Sequence, residues 1–306
     1  MLYFIVNEKS KSGKGSSAWT QIENYLETNH IEYKYWLTKY QGHAQELAGE
    51  ISALEDAEKK LIVVGGDGTI NEVINGITDF ERISLGVIPN GSGNDFVRGL
   101  KTERNPVKYL EKIRNSSSAS CIDLGEVSWE GCEKPRLFGI SAGVGMDAVV
   151  CKMAMTSKVK TVLNKLHLGK LTYLMLTIRA LFSMETANGV LTIGEQSKKL
   201  DKVIFSAVMN FRAEGGGVPM APTASARDGL LSLCCAADVP KWKTFFYLPF
   251  IVLAKHARIK KITLLDAEEL EWRFDKPMTL HTDGEYYGEV AQVRFRCLKN
   301  KLKIVN

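Results

Sequence analysis

Residues 65–69 read Gly-Gly-Asp-Gly-Thr and follow directly on Leu61-Ile62-Val63-Val64, an apolar run of strand type. Glycines let a backbone approach a phosphate closely, and the free amides of a helix start favour a bound anion. Gly65, Gly66, Gly68, Thr69 and Asn71 are therefore candidate phosphate-binding residues. Asp67 is out of place among such donors unless a metal or a hydroxyl needs it, and its carboxylate could hold Mg²⁺ against phosphates, directly or through water. The plain alternative is a tight strand-to-helix turn with Asp67 as N-cap. That alternative accounts for the Asp and one glycine but not for the other two.

A second loop of this kind, Pro89-Asn90-Gly91-Ser92-Gly93-Asn94-Asp95-Phe96, follows the next apolar run, with Ser92 as a donor. Alone it would pass for an ordinary turn. Paired with the first, it places two such loops at the carboxyl edge of a parallel sheet, where open α/β folds bind ligands. A third, Asn7-Glu8-Lys9-Ser10-Lys11-Ser12-Gly13-Lys14-Gly15, lacks the G-x-x-x-x-G-K-[ST] spacing of a Walker A loop; it reads as a phosphate contact or as a solvated basic loop.

The elements that must carry these loops alternate simply. Strands are expected at 2–6, 31–37, 61–64 and 85–88, with helices at 16–28, 43–54, 69–77, 95–100 and 106–113. Short apolar strands alternating with helices indicate β-α-β units and a parallel sheet. Asn115-Ser116-Ser117-Ser118 ends the pattern. Beyond it, β-rich segments at 120–129, 136–142, 189–193, 202–209 and 229–236 lead to further short strands, broken by helices at 158–184 and 241–256. The fold class expected is an α/β N-terminal domain with a parallel sheet, residues 1–119, followed by a mostly β sandwich, residues 120–289, with the active site between the two.

The chain has 306 residues, 45% of them apolar and 25% charged, a formal net charge of +5 and six cysteines without a C-x-x-C pair. These numbers suit a soluble two-domain protein with reduced thiols and argue against a zinc site. No apolar stretch is long enough to span a bilayer, and residues 1–6 read as a strand, not a signal peptide. A cytoplasmic location is expected. The mild positive charge would favour anionic membrane surfaces or phosphorylated ligands without deciding between them.

The loops together resemble the diacylglycerol kinase catalytic-domain family, which includes sphingosine kinases and several bacterial lipid kinases. The matching pieces are residues 64–73, 89–96, Thr38 with Gly42-His43-Ala44, and Asp123-Leu124-Gly125. They continue through 138–145, Gly215-Gly216-Gly217, Ala221-Pro222-Thr223-Ala224, residues 228–231 and Asp283-Gly284-Glu285, in family order over nearly the whole chain. Gly-Gly-Asp-Gly-Thr alone would be less specific, since NAD kinases carry it too.

The resemblance implies an ATP- and Mg²⁺-dependent kinase that phosphorylates a lipid hydroxyl, first of all that of diacylglycerol. At matching positions it implies ATP contacts from Asn7, Gly13, Thr38, Gly65, Gly66, Asp67, Gly68, Thr69, Asn71 and Ser92. Glu285 is implied as proton acceptor, with Asp283 and Asp67 completing an acidic network around the phosphates and Mg²⁺. Asp228, with the carbonyls of Ser225 and Leu230, is implied as a second, structural magnesium site, and residues 290–306 as strands returning partly to the first domain. The chain departs from the family at Glu8, where Pro is usual, and at Lys11, where Gly is frequent.

Read without the family, Asp283-Gly284 and Asp228-Gly229 are ordinary turn signals. His43 is expected to serve a helix start, not acid–base chemistry. Residues 241–250, which mix lysines with aromatics, are expected to pack as a helix kinked at Pro249, with an interfacial membrane segment as the alternative; residues 171–182 are expected in the core. The expected partners are a lipid with a free hydroxyl and, peripherally, a membrane surface; a homodimer is compatible and no nucleic acid is expected. The competing functions are a kinase for a soluble substrate, like NAD kinase, and a non-catalytic lipid- or nucleotide-binding regulator. The later Asp228 and Glu285 segments argue against the former, and intact Asp67, Asp283 and Glu285 against the latter.

Overall fold

The computed structural model describes residues 1–10, 15–103, 105–116, 118–156 and 169–305. The chain divides into two compact units, Met1–Leu124 with Lys299–Asn306, and Gly125–Leu298.

In the first unit, β1 (Leu2–Val6), β2 (Tyr33–Leu37), β3 (Lys59–Gly65) and β4 (Ile83–Pro89) pair in parallel in the order β2-β1-β3-β4. Every residue of β1 is buried, as a parallel strand covered on both faces requires. The tip of the last strand, β14 (Glu285–Ile304), adds a further parallel rung beside β4, Lys303 to Ser84 and Ile304 to Leu85. Helix α1 (Gly15–Thr28) turns Trp19, Ile22 and Leu26 onto the core, where the Trp19 and Phe4 rings lie 5.3 Å apart. The Ile31 amide donates to Leu26 O at 2.9 Å, with His30 in the left-handed region. This closes the helix end, so the strand expected from residue 31 starts at Tyr33.

Helices α2 (His43–Ser52) and α3 (Asp67–Gly76) pack against each other. After α4 (Asp95–Leu100), α5 (Pro106–Asn115) begins with Pro106 behind Asn105, whose side chain accepts from the Lys108 amide at 3.0 Å. It buries Tyr109, Leu110 and Ile113, and the Tyr109 hydroxyl donates to Val305 O at 3.1 Å.

The second unit is largely antiparallel. Its strands include β5 (Ser120–Trp129, shared with the first unit), β6 (Arg136–Phe138), β7 (Ser141–Gly145), β8 (Ala187–Ile193), β9 (Gln196–Val203), β10 (Phe205–Met209), β11 (Leu231–Ala236), β12 (Ile262–Ala267) and β13 (Glu269–Thr282). β12-β11-β10-β7-β13 run side by side. Bulges in β13 let its first half pair with β8 and its last residues, Leu280 to Thr282, pair with β7. One continuous core, with Trp272, Phe205 and Phe295 buried, fills the unit.

Helix α6 (Met146–Thr156) leaves β7 directly. The described part of the long helix expected at 158–184 is α7 (Gly169–Ser183); residues 158–168 lie outside the described residues. Leu176, Ala180 and Leu181 of α7 are buried, while Met175 and Phe182 are exposed, so from residue 175 on the helix is core on one face only. Helix α8 (Lys241–Val252) ends sooner than expected, and a short 3₁₀ turn follows at His256–Arg258. The packing expected for α8 is thin, since only Thr244 and Ile251 in it are buried.

Candidate active site

Four loops leave the carboxyl ends of β1 to β4 at one level. The sheet ladder extends one residue into three of them: Thr38 N donates to Val6 O at 2.9 Å, Asn7 N to Val64 O at 2.9 Å, and Asn90 N to Gly65 O at 2.8 Å. The expected ATP contacts Asn7, Thr38, Gly65 and its turn, and Ser92 are thus set along one sheet edge. Gly13 lies outside the described residues, as does Lys11.

Asn7 fixes two of these loops. Its Oδ1 accepts from Lys9 N at 3.1 Å, and its Nδ2 donates to Thr69 Oγ1, in the first turn of α3, at 2.9 Å. Gly66 and Gly91 touch backbone to backbone; a Cβ on Gly91 would stand 2.7 Å from Gly66 Cα. Only glycine permits that approach, so the two loops meet at the start of α3 with no side chain between them. Ser92 is exposed on the second loop, whose bend is held by Asn94 Oδ1 accepting from Gly91 N at 2.9 Å and Asn94 Nδ2 donating to Gly91 O at 2.9 Å.

Asp67 is tied to the helix that follows the second loop. Its Oδ2 accepts from Asp95 N at 3.2 Å and its Oδ1 from Phe96 N at 3.1 Å. Asn94, at the N-cap of α4, makes no side-chain cap, so Asp67 caps a helix remote in sequence. Burial pushes its carboxyl above the usual range, against the pull of these amides and of Arg98. A carboxylate offers roughly four acceptor positions, so both oxygens retain capacity for a cation or its water. His43 accepts from Lys39 N at 3.1 Å through Nδ1 and stacks on Tyr40, a helix-start role.

In the second unit, Asp283 and Gly284 form the turn from β13 to β14 with φ of 45° and 86°, and Thr282 pairs with Glu285. This is the hairpin turn that Asp-Gly favours. It is also more than a turn. Asp283 Oδ2 accepts from Gly139 N at 2.8 Å, and Oδ1 from Ile140 N at 2.8 Å and Ser141 N at 3.0 Å. Asp283 N donates in turn to Ser141 O at 2.7 Å. Asp283 is buried by this grip, whereas Glu285 is half-buried at the base of the turn.

Beneath the turn lies a polar cluster that sequence reading missed. His281 Nε2 and Asp147 Oδ2 are 3.2 Å apart, and Ser141 Oγ donates to a Glu214 carboxylate oxygen. One donor atom each of Asp147, Glu214 and His281 falls within 4.8 Å of the others. Such a set could hold a cation, but both imidazole nitrogens have protein partners, Nδ1 taking a long 3.4 Å contact from Gly284 N. Burial raises the Glu214 carboxyl above its usual range. Burial alone would lower His281, but the neighbouring Asp147 and Glu214 carboxylates outweigh it and raise its pKa. Gly143 is the local signal: a Cβ there would meet Asp147 Oδ2 at 2.4 Å.

Of the expected second magnesium residues, Asp228 is exposed and Leu230 half-buried. Asp228 Oδ1 accepts from Leu230 N at 3.0 Å, with Ser225 half-buried nearby in sequence. One carboxylate with carbonyls makes a weak site for a hard cation, usually completed by water.

Residues 1–127 match the diacylglycerol kinase catalytic domain, and residues 140–306 the YegS C-terminal NAD kinase beta sandwich-like domain. The chain belongs to the diacylglycerol kinase-like lipid kinase family. Among relatives in this family, it is 29% identical to YtlR of Bacillus subtilis (strain 168) over 289 residues, 94% of this chain and 93% of that one. It is 27% identical to the diacylglycerol kinase of the same organism over 252 residues, 80% of this chain and 79% of that one. Crystal structures from Bacillus anthracis str. Sterne match with TM-scores of 0.76 and 0.69 at 23% and 19% identity, the latter being of a diacylglycerol kinase. Each covers 99% of this chain and 96% of its own, and both share this lipid kinase fold.

Proposed function

We propose that this lipid kinase transfers the γ-phosphoryl group of ATP, with Mg²⁺, to the hydroxyl of a lipid, with diacylglycerol the first candidate. The observation that carries the reading is the level row of loops on the first sheet, where two glycine loops meet backbone to backbone at the start of α3. Amides at a helix start, aimed out of a sheet edge, suit a polyphosphate.

In the proposed reaction the lipid oxygen attacks the γ-phosphorus, the bond to the β-phosphate oxygen breaks, and ADP leaves. The hydroxyl proton passes to Glu285, whose backbone is fixed by the Asp283 turn. Asn7, Thr38, Gly66, Gly68 and Ser92 position the nucleotide. Asp67 fits a Mg²⁺ role because its amide bonds leave acceptor capacity on both oxygens. The ion would supply neutralisation of phosphate charge. Asp228, whose Oδ1 takes the Leu230 amide, would with the carbonyls of Ser225 and Leu230 hold a separate structural cation completed by water.

Purified protein, labelled ATP and a total lipid extract test the reading. A labelled phospholipid is expected, and diacylglycerol added to detergent micelles should increase it. Labelling of NAD instead, with no lipid product, would assign the protein to soluble-substrate phosphorylation.

A further inference from the structure

Helix α8 is apolar in sequence and bare in the structure. Of its 12 residues only Thr244 and Ile251 are buried. Trp242, Phe245, Phe246, Phe250 and Val252, with Leu253 just beyond the helix, expose 42–62% of their surface. A soluble protein seldom presents so much contiguous aromatic and aliphatic surface without a use for it.

The charges around this helix share one sign. From 241 to 265 the chain carries Lys241, Lys243, Lys255, Arg258, Lys260 and Lys261 and no acidic residue. Lys241 is spent on Met184 O, and Lys261 lies 3.6 Å from Asp238; the other four are exposed. Lys243 sits 5.4 Å over the Trp242 ring, so a cation stands beside the indole.

We propose that α8 and the basic segment after it form a docking surface for an anionic lipid bilayer. Its aromatic side chains would enter the interfacial zone and its cations would meet lipid phosphates. Trp and Phe beside Lys and Arg is the composition that this zone favours. Pro249 brings no N–H to the carbonyl one turn earlier, which water and headgroups satisfy at an interface but hydrocarbon does not. The helix therefore lies on the membrane, in keeping with its length, which is too short to cross one. A second copy of the chain fits this face poorly, because a two-fold contact would set the cationic rim against itself.

The surface draws its use from the lipid-kinase reading, but its test involves no ATP. The full chain is floated with phosphatidylcholine vesicles, with and without phosphatidylglycerol. Binding is expected with phosphatidylglycerol only, weakening with salt. Trp242→Ser with Phe246→Ser should lower partition at least about tenfold, and Lys243→Glu with Lys260→Glu at least about twentyfold. All four side chains are exposed, so both variants should keep the thermal midpoint of the parent and still phosphorylate lipid dispersed in detergent. No binding to phosphatidylglycerol vesicles, or binding that neither variant weakens, overturns the proposal. So does a dimer that the apolar variant dissociates while vesicles capture nothing.

Discussion

Phe96 donates its amide to Asp67 across 3.1 Å, and that bond ties the first glycine loop to the helix that follows the second. The Asp95 amide, on the other carboxylate oxygen, doubles the tie. Asp67, an acidic residue in a glycine loop, is thereby also a structural strut.

Asp67→Ala should leave two helix-start amides without an acceptor. A loss of about 1–3 kcal/mol is expected from the urea midpoint, together with weaker nucleotide binding by calorimetry. Asp67→Asn keeps one acceptor oxygen and should lose less stability. Equal stability in the Ala variant and the parent would refute the strut.

Gly91→Ala places a methyl group 2.7 Å from Gly66 Cα. The two loops must separate, at about 1–3 kcal/mol for overpacking. Affinity for an ATP analogue should fall at least about tenfold if the two loops bind it together, since that contact sets their relative position. Unchanged affinity would mean that the loops do not act together.

Asp283 and Glu285 should separate cleanly by measurement. Asp283→Ala strips the acceptor from three buried amides, and about 3 kcal/mol or more of stability should go with it. Glu285→Gln should retain stability and ATP binding but lower kcat about 10²–10⁴-fold. Near-normal turnover in the latter variant would remove Glu285 as proton acceptor.

Stability should also depend on pH through the cluster under the turn. Glu214 and His281 are both raised, so the folded state holds protons that the unfolded chain releases. Their stabilisation is complete below the ordinary values, 4.5 for Glu and 6.5 for His, and is lost as pH rises through the raised ones. The urea midpoint should therefore be higher at about pH 6 than at about pH 8.5. Glu214→Gln should flatten that slope; a midpoint rising with pH would reverse the assignment.

The α/β layout was legible because strand and helix periods alternate and glycines punctuate the strand ends. The loops could be read for the same reason, since each follows its own apolar run. What could not be read is side-chain contact across long sequence separations. Asp147 and His281 stand 134 residues apart, and no local spacing announces their meeting. Asp67 reads as a cap for its own helix, yet its partners belong to α4. Residues 241–252 have core composition but lie mostly exposed, because hydrophobicity records a preference for leaving water and not what receives the side chain.

The first unit includes Lys299–Asn306, whose Lys303 and Ile304 flank β4 while Val305 receives the Tyr109 hydroxyl and donates its amide to Leu85 O at 3.0 Å. On the ribosome, the first unit must therefore wait with an open sheet edge until the second has been synthesised. An N-terminal fragment ending at Leu124 would keep that edge permanently and should self-associate, so excision of this half as a standalone module requires grafting the final strand back beside β4.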